Sequence, residues 1–225
     1  MRATVAICTH NRAGVLPTVV RSVVHQADEV LVVDNASTDD TAVAVQELIT
    51  NYPNVRYVEE PNVGLSHARN RSLAEAAHEV VVFVDDDAVA EDGLVEAHMA
   101  AYQDFRVGAT GGRINLAWPK GRRPRWLPHA LDGMYAGLEL GDDERDLGPS
   151  EGPYGANMSV RRDLGRKLGF DPSLGRQGTS LISNEETHFF ARLRRTHVVR
   201  YVPKAIVSHG VLPGRDELGY LLQRS

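Results

Sequence analysis

Short aliphatic runs alternate with segments of helical periodicity over the first half of the chain. After each run, apolar residues recur at a spacing of three and four positions, which is typical of a helix with one buried face. Strands that alternate with helices in this way indicate an α/β fold with a doubly wound, mainly parallel sheet flanked by helices. The runs predict strands at residues 4–8, 29–34, 55–58 and 80–84, and the periodic segments predict helices at 16–24, 42–49, 65–77 and 93–102.

The start of the second helix carries a signal of its own. Ser37 or Thr38 is expected to cap this helix, with Asp39 and Asp40 in its first turn, because carboxylates suit the positive end of a helix. Pro17 lies near the start of the first helix, where proline is tolerated. Both signals support the prediction that a helix follows each of the first two strands.

The second half of the chain is less regular. The pattern fails from about residue 115 to 152, a segment rich in Gly, Pro, Trp and charge that we expect to be a long mobile loop or a few short pieces. No linker divides the chain, so we expect a single domain over residues 1–225. The remaining elements are predicted as a strand at 107–114, helices at 161–168 and 185–195, and short strands at 198–202 and 205–207.

Composition excludes several classes of protein. The chain has 225 residues and a single cysteine, Cys8, so it forms no internal disulfide, and we expect a reducing, cytoplasmic compartment. The longest aliphatic run, residues 80–84, is far shorter than the roughly 20 residues of a membrane helix, so no transmembrane segment is expected.

Charge is distributed unevenly along the chain. Residues 1–112 hold 7 Lys and Arg against 17 Asp and Glu, whereas residues 113–225 hold 18 against 13. The acidic first half argues against a nucleic-acid partner, because phosphate backbones require an excess of basic residues. The basic second half could face phosphate or lipid, or it could be a solvated surface.

The candidate chemistry lies at the predicted strand ends. Ligands of an open parallel sheet bind beyond the carboxyl ends of its strands, and here polar residues follow all four strands. Asp85, Asp86 and Asp87 follow the fourth strand, and three adjacent carboxylates repel one another unless a cation neutralises them. Oxygen ligands favour Mn²⁺ or Mg²⁺ over Zn²⁺. The alternative is that these aspartates only end a strand and begin a helix.

Six motifs in order resemble those of the inverting family 2 glycosyltransferases, whose Rossmann-like fold is called GT-A. The resemblance extends from Thr4 to about His209, and it implies a nucleotide-sugar-binding half at 1–112 and an acceptor-binding half at 113–225. The motifs are Val5–Arg12 (VAICTHNR), Val33–Thr41 (VDNASTDDT), Asn62–Asn70 (NVGLSHARN), Phe83–Asp87 (FVDDD), Gly155–Asn157 (GAN) and Asn184–Glu186 (NEE).

The same resemblance implies roles for individual residues. Thr9 and Asp34 would hold the nucleotide base, Arg69 would lie by the base and ribose, Asp85 by the ribose and the metal, and Asp87 would ligate the metal. His209 is a further candidate metal ligand, with a surface histidine as the alternative. The expected nucleotide-binding set is Thr9, Asn11, Arg12, Asp34, Asn62, Arg69, Asp85 and Asp86, and the expected donor-sugar and acceptor set is Gly155, Ala156, Asn157 and Trp126.

An inverting transfer needs a base for the acceptor hydroxyl. The resemblance favours the second acidic residue of the pair Glu185 and Glu186, and we expect Glu186 to be this base, with Glu185 as the alternative. A third interpretation stays open, because the segment that begins at Ser183 also matches a capping box, in which a glutamate only satisfies a backbone donor.

A cationic loop flanked by tryptophans is the last candidate. Trp118 and Trp126 bracket a segment with one Lys and three Arg, and aromatic faces stack on sugars while Arg pairs with phosphate. A phosphate-bearing acceptor, a lipid headgroup or the donor's own diphosphate could use this loop, and a solvated loop is the alternative.

The resulting hypothesis is an inverting, metal-dependent glycosyltransferase with a nucleoside diphosphate sugar donor, UDP-sugar being favoured. Its acceptor would be a carbohydrate, a lipid-linked molecule or a small molecule, and both a homo-oligomer and a peripheral position at a membrane stay open. Two alternatives remain: a phosphatase of the haloacid-dehalogenase type that uses Asp85 and Asp87, and a non-catalytic nucleotide-sugar-binding module.

Overall fold

Four strand–helix units open the chain, as the aliphatic runs predict. The computed structural model describes residues 1–174 and 185–216. Fully buried aliphatic runs form the central strands because helices cover both faces of the sheet. The elements of this half are β1 (Ala3–Thr9), α1 (Leu16–Val23), β2 (Glu29–Asp34), α2 (Thr41–Asn51), β3 (Val55–Glu59), α3 (Leu65–Glu75), β4 (Val80–Val84), β5 (Ala88–Ala90) and α4 (Leu94–Ala101).

The second half completes the same sheet. Its elements are β6 (Val107–Ala117), β7 (Arg145–Asp146), β8 (Asn157–Arg161), α5 (Arg162–Leu168), α6 (Glu185–Leu193) and β9 (Val198–Gly210). In the described parts of the chain the strands form one sheet in the order β3-β2-β1-β4-β8-β6-β9-β5, with β7 beside β9. The pairs among β1 to β4 and the pair β6–β9 are parallel, whereas β8 runs antiparallel to β4 and β6. The sheet is therefore mixed and mostly parallel.

The irregular segment consists of short pieces. Strand β6 continues to Ala117, and two turns of 3₁₀-helix follow at Pro119–Gly121 and His129–Tyr135. Leu127, Tyr135 and Val211 form a small buried cluster apart from the main core. No helix in the described residues has the length and apolar character needed to cross a bilayer.

Two local predictions are wrong. The predicted cap of α2 is absent: this helix starts at Thr41, neither Ser37 nor Thr38 is its N-cap residue, and its first turn contains no acidic residue. The hydroxyl of Ser37 instead accepts a hydrogen bond from the backbone N–H of Asn11, at 2.9 Å. The loop after β2 thereby stabilises the loop after β1. Asp39 lies before the helix and accepts hydrogen bonds from the backbone N–H and hydroxyl of Thr41.

The two short strands predicted near the end of the chain are one strand. In β9, Val202 pairs with Gly112 of β6 but Ile206 pairs with the next residue, Arg113, so residues 203–205 bulge out of the ladder. Pro203 lies in this bulge, where a residue without an N–H removes no ladder hydrogen bond. The proline therefore interrupts the pattern of the sequence without ending the strand.

Candidate active site

A cavity of about 690 Å³ opens at the carboxyl ends of the parallel strands. Residues from the ends of β1 and β4 form its floor, the loop before α3 and the start of α6 form one side, and the end of β9 forms another. The segment 133–136 and the segment 149–156 complete the wall. The sequence predicts the ligand-binding residues at this same edge of the sheet.

Asp85, Asp87 and His209 form a cluster on the cavity floor. Each offers one ligand atom, and these three atoms lie within 4.8 Å of one another. Strand β5 explains the cluster, because Ala88 pairs with His209 across the antiparallel ladder and so brings the last residues of β9 beside the aspartates. His209 Nε2 lies 3.1 Å from Asp87 Oδ1.

The cluster fits a divalent cation. Carboxylate oxygens suit Mn²⁺ and Mg²⁺, and imidazole suits many transition metals. Burial would raise the pKa of Asp87, but the hydrogen bond and charge of His209 lower it below its ordinary value. Burial would lower the pKa of His209, but the hydrogen bond and charge of Asp87 raise it above its ordinary value. An anionic carboxylate is the state that ligates metal, and a cation bound at this cluster would displace the proton that His209 shares with Asp87.

Asp86 faces away from this cluster, toward the loop after β1. It accepts a hydrogen bond from the Thr9 hydroxyl at 2.8 Å and lies 3.6 Å from Arg12 Nε. Burial, and after it the charges of Asp87 and Asp85, raise the pKa of Asp86 to about 7. The three adjacent carboxylates are thus divided between two environments, which reduces their mutual repulsion.

The acidic pair of α6 meets a buried arginine. Arg69 Nη1 lies 2.9 Å from Glu185 Oε1, and Arg69 Nη2 lies 3.0 Å from Glu186 Oε1 and 3.9 Å from Asp85 Oδ1. The side chain of Glu185 is 1% exposed and that of Glu186 is 16% exposed, so Glu186 is the more accessible member of the pair. Burial, and next the charge of Glu186, raise the pKa of Glu185.

Gly155 leaves room for the contact between Arg69 and Glu186. Its backbone N–H donates to Glu186 Oε1 at 3.1 Å. A Cβ at this position would lie 1.8 Å from Arg69 Nη2 and 2.6 Å from Glu186 Oε1. Gly155 was predicted to lie in the donor-sugar and acceptor site, and within the protein its missing side chain leaves room for the guanidinium of Arg69.

The structure brings most of the predicted residues to the cavity. The residues that line it are Thr9, Arg12, Arg69, Asp85, Asp86, Asp87, Gly155, Ala156, Glu185, Glu186 and His209. Arg69 lies with the acidic pair, whereas the resemblance placed it by the base and ribose. These positions are not neighbours in sequence, and the carboxyl edge of the sheet brings them together.

Three predicted nucleotide-binding side chains do not line the cavity. Asn11 Oδ1 accepts the backbone N–H of Thr38 at 2.7 Å, and Asn62 Nδ2 donates to Glu60 Oε1 at 2.8 Å, so both stabilise loops. Asp34 accepts hydrogen bonds from the Tyr57 hydroxyl at 2.7 Å and from a loop N–H at 3.0 Å. Each group is hydrogen-bonded within its own loop or to a neighbouring loop or strand, and none of the three lines the cavity.

Two predicted sugar-site residues also lie elsewhere. Asn157 is fully buried within the sheet, where its Oδ1 lies 2.8 Å from Nε2 of His98 and its Nδ2 donates to the carbonyls of Arg113 and Ala205. Trp126 is 44% exposed on the surface. Ala156 lines the cavity, and the alternation of side chains along a strand directs its neighbour Asn157 to the other face.

Sequence reasoning missed part of the cavity wall. Tyr135, Tyr154 and Arg215 line the cavity, and the charge of Arg215 contributes to lowering the pKa of Asp87. Tyr135 lies in the segment without periodicity and Tyr154 lies just after it, so no pattern singled them out. Arg215 follows Pro213 and Gly214, which read as an ordinary turn.

Residues 4–169 match the profile of a family described as "Glycosyl transferase family 2". A curated relative from Haloferax volcanii, "Glucosyl-dolichyl phosphate glucuronosyltransferase", is 28% identical over 240 residues, which cover 100% of this chain and 74% of that protein. "Glycosyltransferase AglE" from the same organism is 27% identical over 73% of this chain and 50% of its own length.

Solved structures share the fold. The chain is similar to a mannosyltransferase from Pyrobaculum calidifontis solved in complex with GDP-Man and Mn²⁺, with a TM-score of 0.70 and 25% identity over 95% of this chain. It is similar in fold to GalNAc-T7, solved with UDP, GalNAc and Mn²⁺, with a TM-score of 0.73 and 18% identity over 95% of this chain. The chain spans 58% and 45% of the lengths of these two structures.

Proposed function

Because the chain belongs to glycosyl transferase family 2, a family of nucleotide-sugar glycosyltransferases with the GT-A fold, we propose that it is an inverting, metal-dependent member. In this proposal a sugar passes from a nucleoside diphosphate to an acceptor hydroxyl in a single displacement. The observation that carries the proposal is the cluster of Asp85, Asp87 and His209 on the cavity floor.

Asp85, Asp87 and His209 would hold a Mn²⁺ or Mg²⁺ ion. When bound there, such an ion supplies a Lewis acid that stabilises negative charge on the leaving diphosphate. Arg12 and Arg215 also line the cavity, and their guanidinium groups suit phosphate oxygens. The donor diphosphate therefore has cationic partners on a floor that is otherwise acidic.

Glu186 is the base in this proposal. The contacts described for its carboxylate use Oε1, which accepts from Gly155 and faces Arg69, so we assign Oε2 to the acceptor proton. The acceptor oxygen attacks the anomeric carbon opposite the diphosphate, the bond to the diphosphate breaks, and the hydroxyl proton passes to Glu186. This sequence of bond changes inverts the anomeric configuration.

Glu185 has a supporting role. It is buried against Arg69 and so holds the guanidinium that orients Glu186. The capping interpretation depends on Ser183 and Asn184, which lie outside the described residues. The exposure of Glu186 and the burial of Glu185 favour Glu186 among the interpretations left open by the sequence.

The two competing functions lose support. A haloacid-dehalogenase phosphatase would use Asp85 as its nucleophile, but the family match and the similarity in fold to a mannosyltransferase favour a glycosyltransferase. A non-catalytic binding module has no need for an acidic side chain over the acceptor, and Glu186 lines the cavity.

The donor and acceptor are proposed by class. We favour a UDP-sugar and take a GDP-sugar as the alternative, since the mannosyltransferase of known structure holds GDP-Man. A lipid-linked acceptor is favoured by the relative whose name includes glucosyl-dolichyl phosphate. The wall formed by Gly133, Tyr135 and the segment 152–154 carries no charged side chain, which suits a neutral sugar acceptor.

Residues 1–112 would bind the donor, and residues 113–225 would form the acceptor side within a single domain. The division is not complete in this proposal, because His209 of the second half joins Asp85 and Asp87 of the first. Strand β9 of the second half would thus contribute a residue to the donor site of the first half.

The test is calorimetric titration of UDP, GDP, UDP-sugars and GDP-mannose, each with and without Mn²⁺. Binding of one nucleotide class that requires Mn²⁺ is expected, and Asp87→Asn should abolish that requirement together with most of the affinity. Asp92→Asn is the matched control, because Asp92 is exposed and lies outside the cavity. Nucleotide binding that is equal with and without Mn²⁺, or unchanged in Asp87→Asn, would contradict the metal site.

A further inference from the structure

A basic loop lies beside the cavity wall. Residues 118–131 contain four basic residues and no acidic one, and no Asp or Glu occurs anywhere between Asp104 and Asp132. The first half of the chain has the opposite balance, with an excess of acidic residues. Within this segment the basic residues therefore have no acidic neighbours in sequence, so its local charge is positive.

Arg123 holds the loop in shape. Its guanidinium donates to the carbonyls of Leu127 at 3.1 Å and Pro128 at 2.8 Å, and it pairs with Asp132 at 2.6 Å. The same group lies 5.5 Å from the centre of the Trp118 ring. Arg123 thus stabilises the conformation of the loop through contacts within it. The exposed side chains of the loop form its outer surface.

The loop is attached directly to the cavity. Trp118 packs edge-on against Tyr135, with ring centres 5.1 Å apart, and Tyr135 lines the cavity. Leu127 is buried in the same small cluster as Tyr135 and Val211. Whatever binds the outer surface of the loop is therefore held next to the cavity mouth.

The outer surface consists of Arg122, Arg125 and Trp126, which we call the basic loop face. All three are exposed, and Trp126 is 44% exposed despite its size. Neither arginine has an ion-pair partner within the described ranges, 1–174 and 185–216. None of the three lines the cavity, so the donor diphosphate that the cavity would hold is not their ligand.

We propose that the basic loop face docks the protein on an anionic lipid membrane. A tryptophan buries its ring at the level of lipid headgroups while its N–H stays in the polar layer, and arginines beside it are attracted to anionic lipids. A free phosphate ion satisfies the arginines but leaves the indole exposed, whereas a lipid surface satisfies both. The acidic first half disfavours a nucleic-acid occupant, because that half would repel the phosphate backbone.

This docking would place the cavity mouth close to the membrane surface. A lipid-linked acceptor presents its reacting sugar at that level, so the inference agrees with the acceptor class proposed above but does not depend on the transfer reaction. Vesicle binding is measured without any donor or acceptor, and its failure would leave the transferase proposal intact.

The experiment is co-sedimentation of the full chain with vesicles of phosphatidylglycerol and phosphatidylcholine, compared with vesicles of phosphatidylcholine alone. Binding to the anionic vesicles that weakens with added salt is expected. The double variant Arg122→Glu/Arg125→Glu should lower the partition coefficient at least about tenfold, since each basic residue near an anionic surface contributes measurably. Trp126→Ala should also lower binding and should remove a blue shift of tryptophan emission on contact with vesicles.

The matched control is Arg166→Glu/Lys167→Glu in α5, which makes the same change in net charge at two exposed positions. This variant should bind vesicles within about twofold of the unmodified chain if local charge, not net charge, decides binding. Circular dichroism of each variant reports whether the fold is retained.

Four outcomes would overturn the proposal. They are absence of binding, equal binding to both kinds of vesicle, an equal loss in the α5 control, and displacement of the protein from vesicles by low concentrations of inorganic phosphate or by an oligonucleotide. The last result would indicate a discrete phosphate site or a nucleic-acid surface instead of a membrane-docking face.

Discussion

At the scale of single residues, Arg69 organises the acidic side of the cavity. Its guanidinium is 2% exposed and contacts Glu185, Glu186 and Asp85. Burial would lower the pKa of Arg69, but the charges of Glu186 and Glu185 raise it above its ordinary value, so the group stays charged. A buried ion pair of this kind is costly to break, because the remaining charge would be left without a partner. The cluster therefore fixes the position of Glu186.

Glu186→Gln should reduce kcat by about 10²–10⁴-fold, because the amide keeps the shape of the side chain but cannot take the acceptor proton. Binding of the nucleoside diphosphate should change little, since Glu186 does not belong to the cluster of Asp85, Asp87 and His209 that is proposed to hold the metal. The measurement is steady-state transfer to a lipid-linked or soluble sugar acceptor with calorimetry of the nucleotide. Glu96→Gln, at an exposed position of α4, is the control. A kcat within threefold of the unmodified enzyme would show that another group is the base.

At the scale of elements, a buried chain of hydrogen bonds joins α4, β6, β8 and β9. Asn157 Nδ2 donates to two carbonyls, so its Oδ1 must accept from Nε2–H of His98, and Nδ1 of His98 must accept from the Thr110 hydroxyl, 2.6 Å away. Burial lowers the pKa of His98 to about 4, in agreement with a neutral ring. The two carbonyls that Asn157 binds, those of Arg113 and Ala205, lie at the register shift between β6 and β9. Asn157 therefore stabilises the bulge at residues 203–205, which precedes His209 in β9.

Asn157→Ala should lower the free energy of unfolding by roughly 3 kcal/mol, because it leaves the N–H of His98 and two buried carbonyls without partners. The measurement is urea unfolding followed by circular dichroism. Asn51→Ala is the matched control, because Asn51 is exposed at the end of α2 and donates only to a helix carbonyl. A loss no larger than in that control would contradict the inferred hydrogen-bond chain.

Glu29 connects elements at the amino end of the sheet, opposite the cavity. Its carboxylate accepts hydrogen bonds from Thr4 of β1 at 2.6 Å, from the backbone N–H of Ala77 at 2.8 Å and from Arg56 of β3. Burial would raise the pKa of Glu29, but these three donors lower it below the ordinary 4.5. A carboxyl whose pKa is lower in the folded state stabilises the fold at every pH above its unfolded pKa.

Glu29→Gln should therefore destabilise the protein most at neutral pH. The difference in free energy of unfolding between the unmodified chain and the variant should be constant above the unfolded pKa of 4.5 and should shrink as the pH falls through the lower folded value. Chemical unfolding at a series of pH values measures this difference. Glu47→Gln, at an exposed position of α2, should give a small difference that does not vary with pH. A Glu29→Gln difference that stays constant into acid would contradict the assignment.

At the scale of the whole molecule, the sheet unites the two halves. Strand β4 of the first half pairs with β8 of the second over five residues, and β5 pairs with the end of β9. The cluster of Asp85, Asp87 and His209 takes two residues from one half and one from the other. A continuous sheet with a shared core should unfold as one cooperative unit.

Two probes test this expectation. Cys8 lies in the first half and lines the cavity, and burial raises the pKa of its thiol to about 11, so it should react with thiol reagents slowly in the folded chain and much faster on unfolding. Trp118 lies in the second half, packed against Tyr135. Urea midpoints from Cys8 labelling and from the fluorescence of a Trp126→Phe variant should coincide. Separate midpoints would show that the halves fold independently.

The sequence predicted much of the fold and of the candidate site because both depend on local patterns. Aliphatic runs marked β1 to β4, and the rule that strand ends line the ligand crevice selected Asp85 to Asp87 and Thr9. The order of the motifs also pointed to the family. Glu186 was favoured for a role by the resemblance, and its role stays a prediction until it is measured.

Other features depended on contacts between distant residues. The pairing of β5 with β9 places His209 beside Asp87. At the start of β8, successive side chains point to opposite faces, so Ala156 lines the cavity and Asn157 is buried against His98. No local pattern encodes which face of a strand will be covered by a segment one hundred residues away. The sequence by itself determined the repeating α/β architecture and the supply of acidic and basic groups, because hydrophobic period and residue chemistry are local. Only the tertiary structure decided which of those groups share a cavity, because that depends on strand register and on how the second half closes over the first.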